Sequence, residues 1–384
     1  MSLENLFEKI EPKSKGQAEL KKALQSDKDL IGIFGPTGTG KSLFAITYSL
    51  STVNEGKYKR IILSRPIIDI VTGKEITLYN EPENYIKYAS EYLKDILVGF
   101  VEEKTIEELI KNGKLLLADP HFLRGRTFDD SIIILDDVQS IPAETIIEII
   151  TRMGRNSRLI IAGDPIFQRT AEFGKDGASL AREILLGEET ATVIDLGIKD
   201  IVRPGAKRGV QLLLELQMRK RELDENERKV KEVAKIYAPD ADIITVVNLT
   251  EYKRKFSITS ENVPDALIIV KEKHVGRLVG VKGERIQNIE KETNLKLRVI
   301  GLTLDLKEII RAIHPVSWVH KYVMDFDFTG NRLRMLVDKK EIGAMIGQKG
   351  IFVRFIDETF KKLLSVSIHV EEAETPTKEQ MKKK

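Results

Sequence analysis

The chain contains one glycine-rich stretch, residues 35–42, whose residue types and spacing could bind a triphosphate. It follows an apolar run at residues 30–34 and leads into residues 43–50, which is the order strand, loop, helix. Glycines allow successive backbone N–H groups to point at phosphates, and the start of a helix adds its dipole. We expect Lys41 to reach the β- and γ-phosphates and the Ser42 hydroxyl to hold Mg²⁺. The predicted nucleotide-binding residues are Gly35, Pro36, Thr37, Gly38, Thr39, Gly40, Lys41 and Ser42.

A second stretch, residues 131–139, carries paired carboxylates directly after an apolar run. This pattern is typical of a buried strand that delivers acids to the ligand edge of a sheet. Asp136 is expected to coordinate Mg²⁺, directly or through water, and Asp137 to orient or deprotonate the attacking water. An acidic turn without chemistry would explain the same residues, but the phosphate loop upstream favours catalysis.

Four further side chains are candidates for the same site. Gln17 precedes the loop, and its amide presents the donor and acceptor that could read an adenine edge. Arg65 follows an apolar run at residues 61–63, where ligands of parallel sheets bind, so we expect it to contact phosphate or nucleic acid. Gln168 follows a Gly-Asp turn and could sense the γ-phosphate. Arg203 is a candidate arginine finger, in cis or across a subunit interface, with an ordinary loop arginine as the alternative.

Composition limits the class of protein. The length of 384 residues predicts two or three domains, and the 42% of hydrophobic residues fits globular ones. Without cysteine, disulfides and thiolate metal sites are excluded. The sequence lacks a long apolar run and a leader pattern, so we expect a soluble, cytoplasmic protein without a membrane partner. The net charge of +3 divides into about −3 for residues 1–210 and about +6 for 211–384, which is compatible with a polyanionic partner for the back half or with an ordinary solvated surface.

The front half resembles the PhoH-like ATPases, relatives of the superfamily 1 helicases. The segments that carry the resemblance, over roughly residues 10–210, are 35–42, 61–66, 122–127, 135–139, 151–154, 163–168 and 200–203. The resemblance implies ATP hydrolysis and an RNA-linked activity, and it is compatible with a ring-shaped homo-oligomer. This chain departs from the family at Asp137, where glutamate is usual, and at residues 67–80, which lack the usual Gly-Pro pattern.

The back half contains an internal repeat, because residues 270–289 align with residues 337–356 at an offset of about 67 positions. Each copy predicts a strand, a short helix, a Gly-x-x-Gly loop, a longer helix and a strand. Such a glycine pair lets a sugar-phosphate chain approach closely, and each loop adds a lysine. The two copies resemble tandem KH domains of the prokaryotic arrangement, which implies binding of single-stranded RNA, with single-stranded DNA as the alternative. The candidate RNA-binding residues are Gly280, Val281, Lys282, Gly283, Gly347, Gln348, Lys349, Gly350 and Arg65.

Together these observations predict an α/β P-loop NTPase, a parallel sheet with helices on both faces, followed by two small α+β KH domains. The expected divisions are an ATPase domain at 1–210, a helical linker at 211–240, KH domains at 241–303 and 304–371, and a disordered charged tail at 372–384. The leading function is a Mg²⁺-dependent ATPase that binds RNA, such as an RNA helicase or a remodelling ATPase. A nucleotide-gated RNA-binding switch with little turnover is the alternative, which the shorter Asp137 favours. A GTPase or a small-molecule kinase is less favoured, since no guanine-reading Asn-Lys-x-Asp motif is found.

Overall fold

The computed structural model describes residues 3–69, 71–123, 126–167 and 177–373. The chain divides into two compact units, Met1–Lys207 and Arg208–Lys384. Among the described residues, none of the helices has both the length and the apolarity needed to cross a bilayer.

The first unit alternates strands and helices. Its elements in chain order are α1 (Lys15–Leu24), β1 (Leu30–Phe34), α2 (Lys41–Asn54), β2 (Arg60–Ser64), β3 (Ile67–Ile68), β4 (Glu75–Ile76), α3 (Pro82–Leu97), α4 (Glu103–Lys111), β5 (Leu115–Ala118), β6 (Ser131–Leu135), α5 (Ala143–Ile150), β7 (Arg158–Gly163), α6 (Gly177–Leu186) and β8 (Ala191–Asp195). Helix α7 (Pro204–Lys220) then spans the division between the units.

The strands described in the first unit form a parallel sheet in the order β5-β2-β6-β7-β1-β8, beside a small β3-β4 hairpin. Its central strands carry continuous apolar runs, because both faces are covered. In β1, Ile31 and Ile33 pack into the core on one face, while Leu30 and Phe34 pack on the other. Since the strands are parallel, the segments that follow β1, β2, β6 and β7 all emerge at one edge of the sheet.

The second unit contains the same arrangement twice. The elements of the first repeat are α8 (Glu225–Tyr237), β9 (Ile243–Asn248), α9 (Thr250–Lys255), β10 (Ala266–Lys271), α10 (Val275–Val279), α11 (Glu284–Thr293) and β11 (Leu297–Leu302). Those of the second repeat are α12 (Lys307–Ile313), β12 (Val323–Thr329), β13 (Arg332–Val337), α13 (Ile342–Ile346), α14 (Ile351–Leu364) and β14 (Ser367–Glu372).

Both repeats share one strand topology in the described residues. An antiparallel pair, β9-β10 or β12-β13, precedes a short helix and a longer helix, and the last strand pairs in parallel with the second strand of the pair. The sheet orders are therefore β11-β10-β9 and β12-β13-β14, with the second strand in the centre each time. The predicted fold class, a parallel α/β sheet covered on both faces and followed by small α+β units, is confirmed.

The segment predicted as a helical linker, residues 211–240, contains parts of two helices. It is not one helix, because α7 ends at Lys220 and Asp224 starts α8 by accepting a hydrogen bond from the Glu227 backbone. The apolar side of α8 then packs into the core of the first repeat, where Val230 and Val233 are buried. The helical spacing of apolar residues was visible in the sequence. This spacing is the same in a helix that packs into a domain and in an amphipathic helix of a linker.

Candidate nucleotide site and glycine loops

The glycine-rich loop lies between the end of β1 and the start of α2, at the ligand edge of the sheet. Gly35 has φ +152°, and a Cβ at this position would collide with the backbone of Leu196. Gly40 also has a positive φ, +92°, directly before the first turn of α2. The sequence therefore requires glycine where the chain turns sharply into the helix, which leaves the helix N-terminus facing the loop.

Lys41 is folded back onto the loop. Its Nζ donates hydrogen bonds to the carbonyl oxygens of Gly35, at 2.7 Å, and Pro36, at 2.9 Å. Burial lowers the pKa of Lys41, while the carboxylates of Asp164, Asp136 and Asp137 act in the opposite direction. The lysine predicted to bind phosphate thus lies close to three carboxylates, which follow the two strands β6 and β7.

Asp136 is almost completely buried after β6, and its carboxylate accepts hydrogen bonds from the hydroxyls of Ser42 and Tyr92. Burial raises the pKa of Asp136, and the neighbouring Asp137 raises it further. Ser42 supplies a hydroxyl and Asp136 a carboxylate at one point, and these are the oxygen ligands that Mg²⁺ takes together with nucleotide phosphates. The two predicted metal ligands therefore fit this cofactor.

Asp137 adopts a left-handed backbone conformation, with φ 55° and ψ 41°. Both of its carboxylate oxygens are engaged. Oδ2 lies 2.7 Å from Nη2 of Arg65, and Oδ1 accepts a hydrogen bond from Nε2 of Gln139 at 3.1 Å. The left-handed region is unusual for residues other than glycine, although Asp tolerates it better than most. A residue in this conformation is held there by its surroundings.

Arg65 was predicted to contact phosphate or nucleic acid, and this stays a prediction. Its guanidinium pairs with Asp137 and lies over the ring of Tyr92, 3.6 Å from the ring centroid. Only 20% of the side chain is exposed. The position at the carboxyl end of β2 was predicted, but there the cation neutralises the acids after β6 instead of facing a solvent-exposed surface.

Gln17 was predicted to read an adenine edge, and this too stays a prediction. The side chain is buried, its Oε1 accepts from the Lys13 backbone at 2.7 Å, and its Nε2 donates to the Thr39 carbonyl at 2.9 Å. Because both ends of the amide are used inside the protein, Gln17 braces the glycine-rich loop.

Arg203 lies next to the glycine-rich loop of its own chain. The preceding residue, Val202, donates its backbone N–H to the Gly38 carbonyl at 3.1 Å, and the charge of Arg203 contributes to lowering the pKa of Lys41. This geometry favours the cis alternative for the candidate arginine finger. Gln168, a further candidate, lies outside the described residues.

Several residues of the site were not singled out from the sequence. Tyr92 reaches Asp136 from α3, and Asp164 accepts hydrogen bonds from the backbones of Ile166 and Phe167, at 2.9 Å each. Gln139 joins the ends of two strands, because its Oε1 accepts from the Asp164 backbone while its Nε2 binds Asp137. A Gly-Asp turn after β7 was a local signal for Asp164, whereas Tyr92 had none.

The two Gly-x-x-Gly loops have nearly identical backbones. Gly280 has φ 77° and ψ 176°, and Gly347 has φ 72° and ψ 171°. Lys282 and Lys349 both adopt the left-handed region, with φ 51° and 54°. At the second glycine of each loop, φ is also positive. The repeat found in the sequence is therefore a repeat of backbone conformation.

The residues that support the two loops differ. A Cβ on Gly280 would lie 2.7 Å from the side chain of Arg285, and one on Gly347 would lie 2.6 Å from the ring of Phe352. Val281 at the tip of the first loop is 80% exposed. The first loop thus offers an exposed apolar residue beside a lysine, and glycine is required where each loop begins.

The strand order and the glycine-rich loop define the first unit as an α/β P-loop NTPase fold. The profile of the family described as PhoH-like protein matches residues 9–215, which is more than half of the chain, and the chain belongs to this family. The profile of the KH domain matches residues 266–309, within the first repeat and the start of α12.

Curated relatives match the same part of the chain. A PhoH-like protein of Bacillus subtilis is 31% identical over 199 residues, which are 50% of this chain and 60% of that protein. A PhoH-like protein of Mycobacterium leprae is 28% identical over 199 residues, or 50% of this chain and 55% of the relative. The chain thus spans between 55% and 60% of the length of these relatives.

Among solved structures, the helicase domain of Pyrococcus furiosus Hef is similar, with 14% identity, a TM-score of 0.31 and coverage of 81% of this chain and 57% of that one. The strand order of the first unit, and not this likeness, defines its fold.

Proposed function

We propose that this protein is a Mg²⁺-dependent ATPase that binds single-stranded RNA, and that its turnover is coupled to RNA binding. The observation that carries the proposal is the convergence of Lys41, Ser42, Asp136 and Asp137 at one edge of the sheet, in a chain that also has two glycine loops of equal backbone geometry. An RNA remodelling ATPase or helicase needs both a nucleotide site and a surface that binds RNA, and this chain has candidates for both.

The roles in hydrolysis follow from the contacts. Backbone N–H groups of residues 37–42 and the Lys41 ammonium hold the phosphates, so Lys41 exchanges its loop carbonyl partners for phosphate oxygens. Ser42 and Asp136 would hold Mg²⁺, which neutralises charge on the β- and γ-phosphates when bound. Asp137 orients the attacking water, and Arg203 stabilises charge on the transferred phosphoryl group from its position beside the loop.

The RNA-binding half is proposed to consist of two KH domains. The second repeat supports this assignment by its strand topology and loop dihedral angles, which match those of the first repeat. In each loop the glycines admit the sugar-phosphate backbone and the lysine supplies charge. Because α8 shares the core of the first repeat, we propose that this domain begins near Glu225 and not at residue 241.

The family resemblance leads to two further proposals. One is a relation to superfamily 1 helicases, which predicts that ATP turnover drives movement along RNA or displacement of a bound strand. The other is a ring-shaped homo-oligomer, which predicts that the protein sediments as a multiple of its 43.5 kDa chain when Mg²⁺ and ATP are present.

The test is ATPase activity titrated with single-stranded RNA, single-stranded DNA and duplex. Turnover stimulated most by single-stranded RNA supports the proposal, because stimulation requires both halves. A protein that hydrolyses ATP at one rate whatever polymer is added is not RNA-coupled, and a protein that binds neither ATP nor RNA contradicts the proposal completely.

A nucleotide-gated switch is the second candidate, and one observation favours it. The carboxylate of Asp137 is paired with Arg65. A carboxylate that is engaged in an ion pair is less available to activate a water molecule rapidly. A switch predicts that a non-hydrolysable ATP analogue changes RNA affinity as much as ATP does, while steady-state turnover stays negligible with and without RNA. Strong RNA stimulation of turnover excludes it.

A further inference from the structure

Helix α3 holds Arg65 at two points. Its tyrosines at positions 85 and 92 are seven residues apart, so they lie on one side of the helix. The Tyr85 hydroxyl lies 3.0 Å from the carbonyl oxygen of Arg65 and 2.8 Å from that of Ala118. The Tyr92 ring lies under the Arg65 guanidinium, and the Tyr92 hydroxyl donates to Asp136.

These contacts close a ring of four side chains: Asp136 binds Tyr92, Tyr92 stacks on Arg65, and Arg65 pairs with Asp137. The Asp137 backbone N–H completes the ring by donating to Oδ1 of Asp136 at 3.0 Å. Among the described residues, the buried Nε of Arg65 has no hydrogen-bond partner. The plane of the guanidinium is therefore held by stacking on Tyr92 and by the pair with Asp137, a geometry that lysine does not reproduce.

We propose that Tyr92 and Arg65 are positioning residues for the two acids of the ATPase site. Tyr92 fixes the orientation of the Asp136 carboxylate as a metal ligand, in the way that hydrogen bonds from neighbouring side chains orient the ligands of other metal sites. Arg65, together with Gln139, holds Asp137 in its left-handed conformation and thereby sets the direction of its carboxylate. The inference rests on the proposed function, and it gives helix α3 a role in hydrolysis.

The separate roles can be distinguished with single-atom and charge-conserving variants. Tyr92→Phe removes only the hydroxyl and keeps the ring under Arg65, whereas Arg65→Lys keeps the charge and removes the stacked plane. Tyr88→Phe is the matched control, because Tyr88 is on the same helix and 41% exposed. Thermal unfolding of all variants in the absence of ligands checks that the fold is intact.

The first measurement is binding of Mn²⁺, followed by electron paramagnetic resonance, to the full chain with a non-hydrolysable ATP analogue. We expect Tyr92→Phe to weaken Mn²⁺ binding roughly 10-fold, at the lower end of what loss of an outer hydrogen bond costs a metal site. The affinity for the analogue without metal should stay within about twofold, because the described polar and ring contacts of Tyr92 are with Asp136 and Arg65. Tyr88→Phe should leave both unchanged.

The second measurement is steady-state hydrolysis and RNA affinity of Arg65→Lys. We expect kcat to fall roughly 10-fold with little change in KM, because the loss affects Asp137 and not nucleotide binding. Mn²⁺ affinity and RNA affinity should stay within about twofold.

Three outcomes would overturn the inference. If Tyr92→Phe binds Mn²⁺ as Tyr88→Phe does, Tyr92 does not orient the metal ligand. If Arg65→Lys loses RNA affinity at unchanged kcat, Arg65 is an RNA contact as the sequence first indicated. If the wild-type protein binds neither the analogue nor Mn²⁺, the proposed function fails first, and this outcome is seen before any variant is compared.

Discussion

The chain builds glycine loops of two kinds, and they differ in how much of the protein supports them. The glycine-rich loop after β1 is enclosed. Gln17 from α1 binds its Thr39 carbonyl, Val202 binds its Gly38 carbonyl, and Leu196 covers Gly35. The Gly-x-x-Gly loops are open, because the described contacts at the first glycine come from one nearby side chain and Val281 is mostly exposed.

This difference matches the demands of two kinds of phosphate recognition. An enclosed loop holds its N–H groups in fixed directions before the ligand arrives, which is what stabilisation of a transition state requires. An open loop with one lysine gives modest, salt-dependent attraction to a polynucleotide backbone, so several loops in series are needed for useful affinity. The comparison predicts that a single change in the enclosed loop eliminates function, while single changes in the open loops reduce it in steps.

The largest effect is therefore expected for Lys41→Ala. Removing the only side-chain cation of the enclosed loop should lower ATP turnover by at least about 100-fold, because its charge acts on the transferring phosphoryl group. RNA affinity without nucleotide should stay within about twofold. Fluorescence anisotropy with labelled RNA and a phosphate-release assay measure the two quantities, with Lys22→Ala on the exposed side of α1 as control.

Loss of RNA affinity together with ATP turnover in folded Lys41→Ala would contradict the separation of roles. Retained turnover would show that the loop does not hold the triphosphate.

The first open loop should give the next largest effect. Replacing Val281 and Lys282 by Asp should weaken binding of single-stranded RNA roughly 10- to 100-fold and reduce its salt dependence, because one phosphate contact is lost and repulsion is added. Aspartate tolerates the left-handed backbone of position 282, so the loop geometry should survive. The matched control replaces Lys235 and Ile236 by Asp, since these neighbours on α8 are also an exposed lysine and apolar pair.

Equal losses in the loop variant and the α8 control would mean that overall charge, and not the first loop, determines RNA affinity.

The second open loop should matter less. Replacing Gln348 and Lys349 by Asp removes one lysine, but Arg354 remains beside the loop, where its guanidinium donates to the Lys349 and Gly350 carbonyls at 2.8 and 3.3 Å. This loop also lacks an exposed apolar residue corresponding to Val281. We expect a loss of RNA affinity of roughly three- to tenfold, measured as for the first loop. An unchanged affinity would indicate that the second repeat has the KH topology without its binding function.

The sequence predicted the parts of the fold and the site that depend on local pattern. Continuous apolar runs identified β1, β6 and β7, since a strand buried on both faces has no polar alternation. The glycine-rich loop and the acidic pair were found because their chemistry requires a fixed spacing. The repeat was found because two copies occur in one chain.

The rest depends on contacts between residues far apart in the chain. Tyr92 reaches Asp136 across 44 positions, and nothing in the local sequence of α3 distinguishes it from the exposed Tyr88. Gln17 has the spacing expected of an adenine reader, yet packing against Thr39 uses its amide. Arg65 was assigned to the correct edge of the sheet, but its partner is set by the neighbouring strand β6.

The smallest expected effect concerns the residues that support the open loops. In the first repeat, Arg285 beside Gly280 pairs with Asp240 at 2.5 Å, and this hydrogen bond lowers the pKa of Asp240. Asp240 therefore stays ionised between pH 7.5 and 5.5. In the second repeat, Phe352 beside Gly347 packs edge-on against His314, with ring centroids 5.5 Å apart.

His314 is buried, its Nε2 lies 3.1 Å from the Met345 carbonyl, and its Nδ1 accepts a hydrogen bond from the Val316 backbone, so it is neutral with the proton on Nε2. Burial lowers the pKa of His314. A histidine whose folded-state pKa lies below its unfolded value of about 6.5 binds more protons when unfolded. The stability it contributes is present above that pH and decreases as the pH falls through the unfolded value toward the folded one.

Acidification from pH 7.5 to 5.5 should thus loosen α13 and α14 more than α10 and α11. Hydrogen exchange followed by mass spectrometry, corrected for the intrinsic pH dependence, compares the two helix pairs within one full-length sample. His314→Gln cannot titrate, so it should remove the difference between the two pH values, although it lowers stability at both. If the two repeats loosen equally, or if the variant keeps the pH dependence, the prediction is wrong. The residues that support the two loops would then differ in type, but protonation of His314 would not weaken the second repeat.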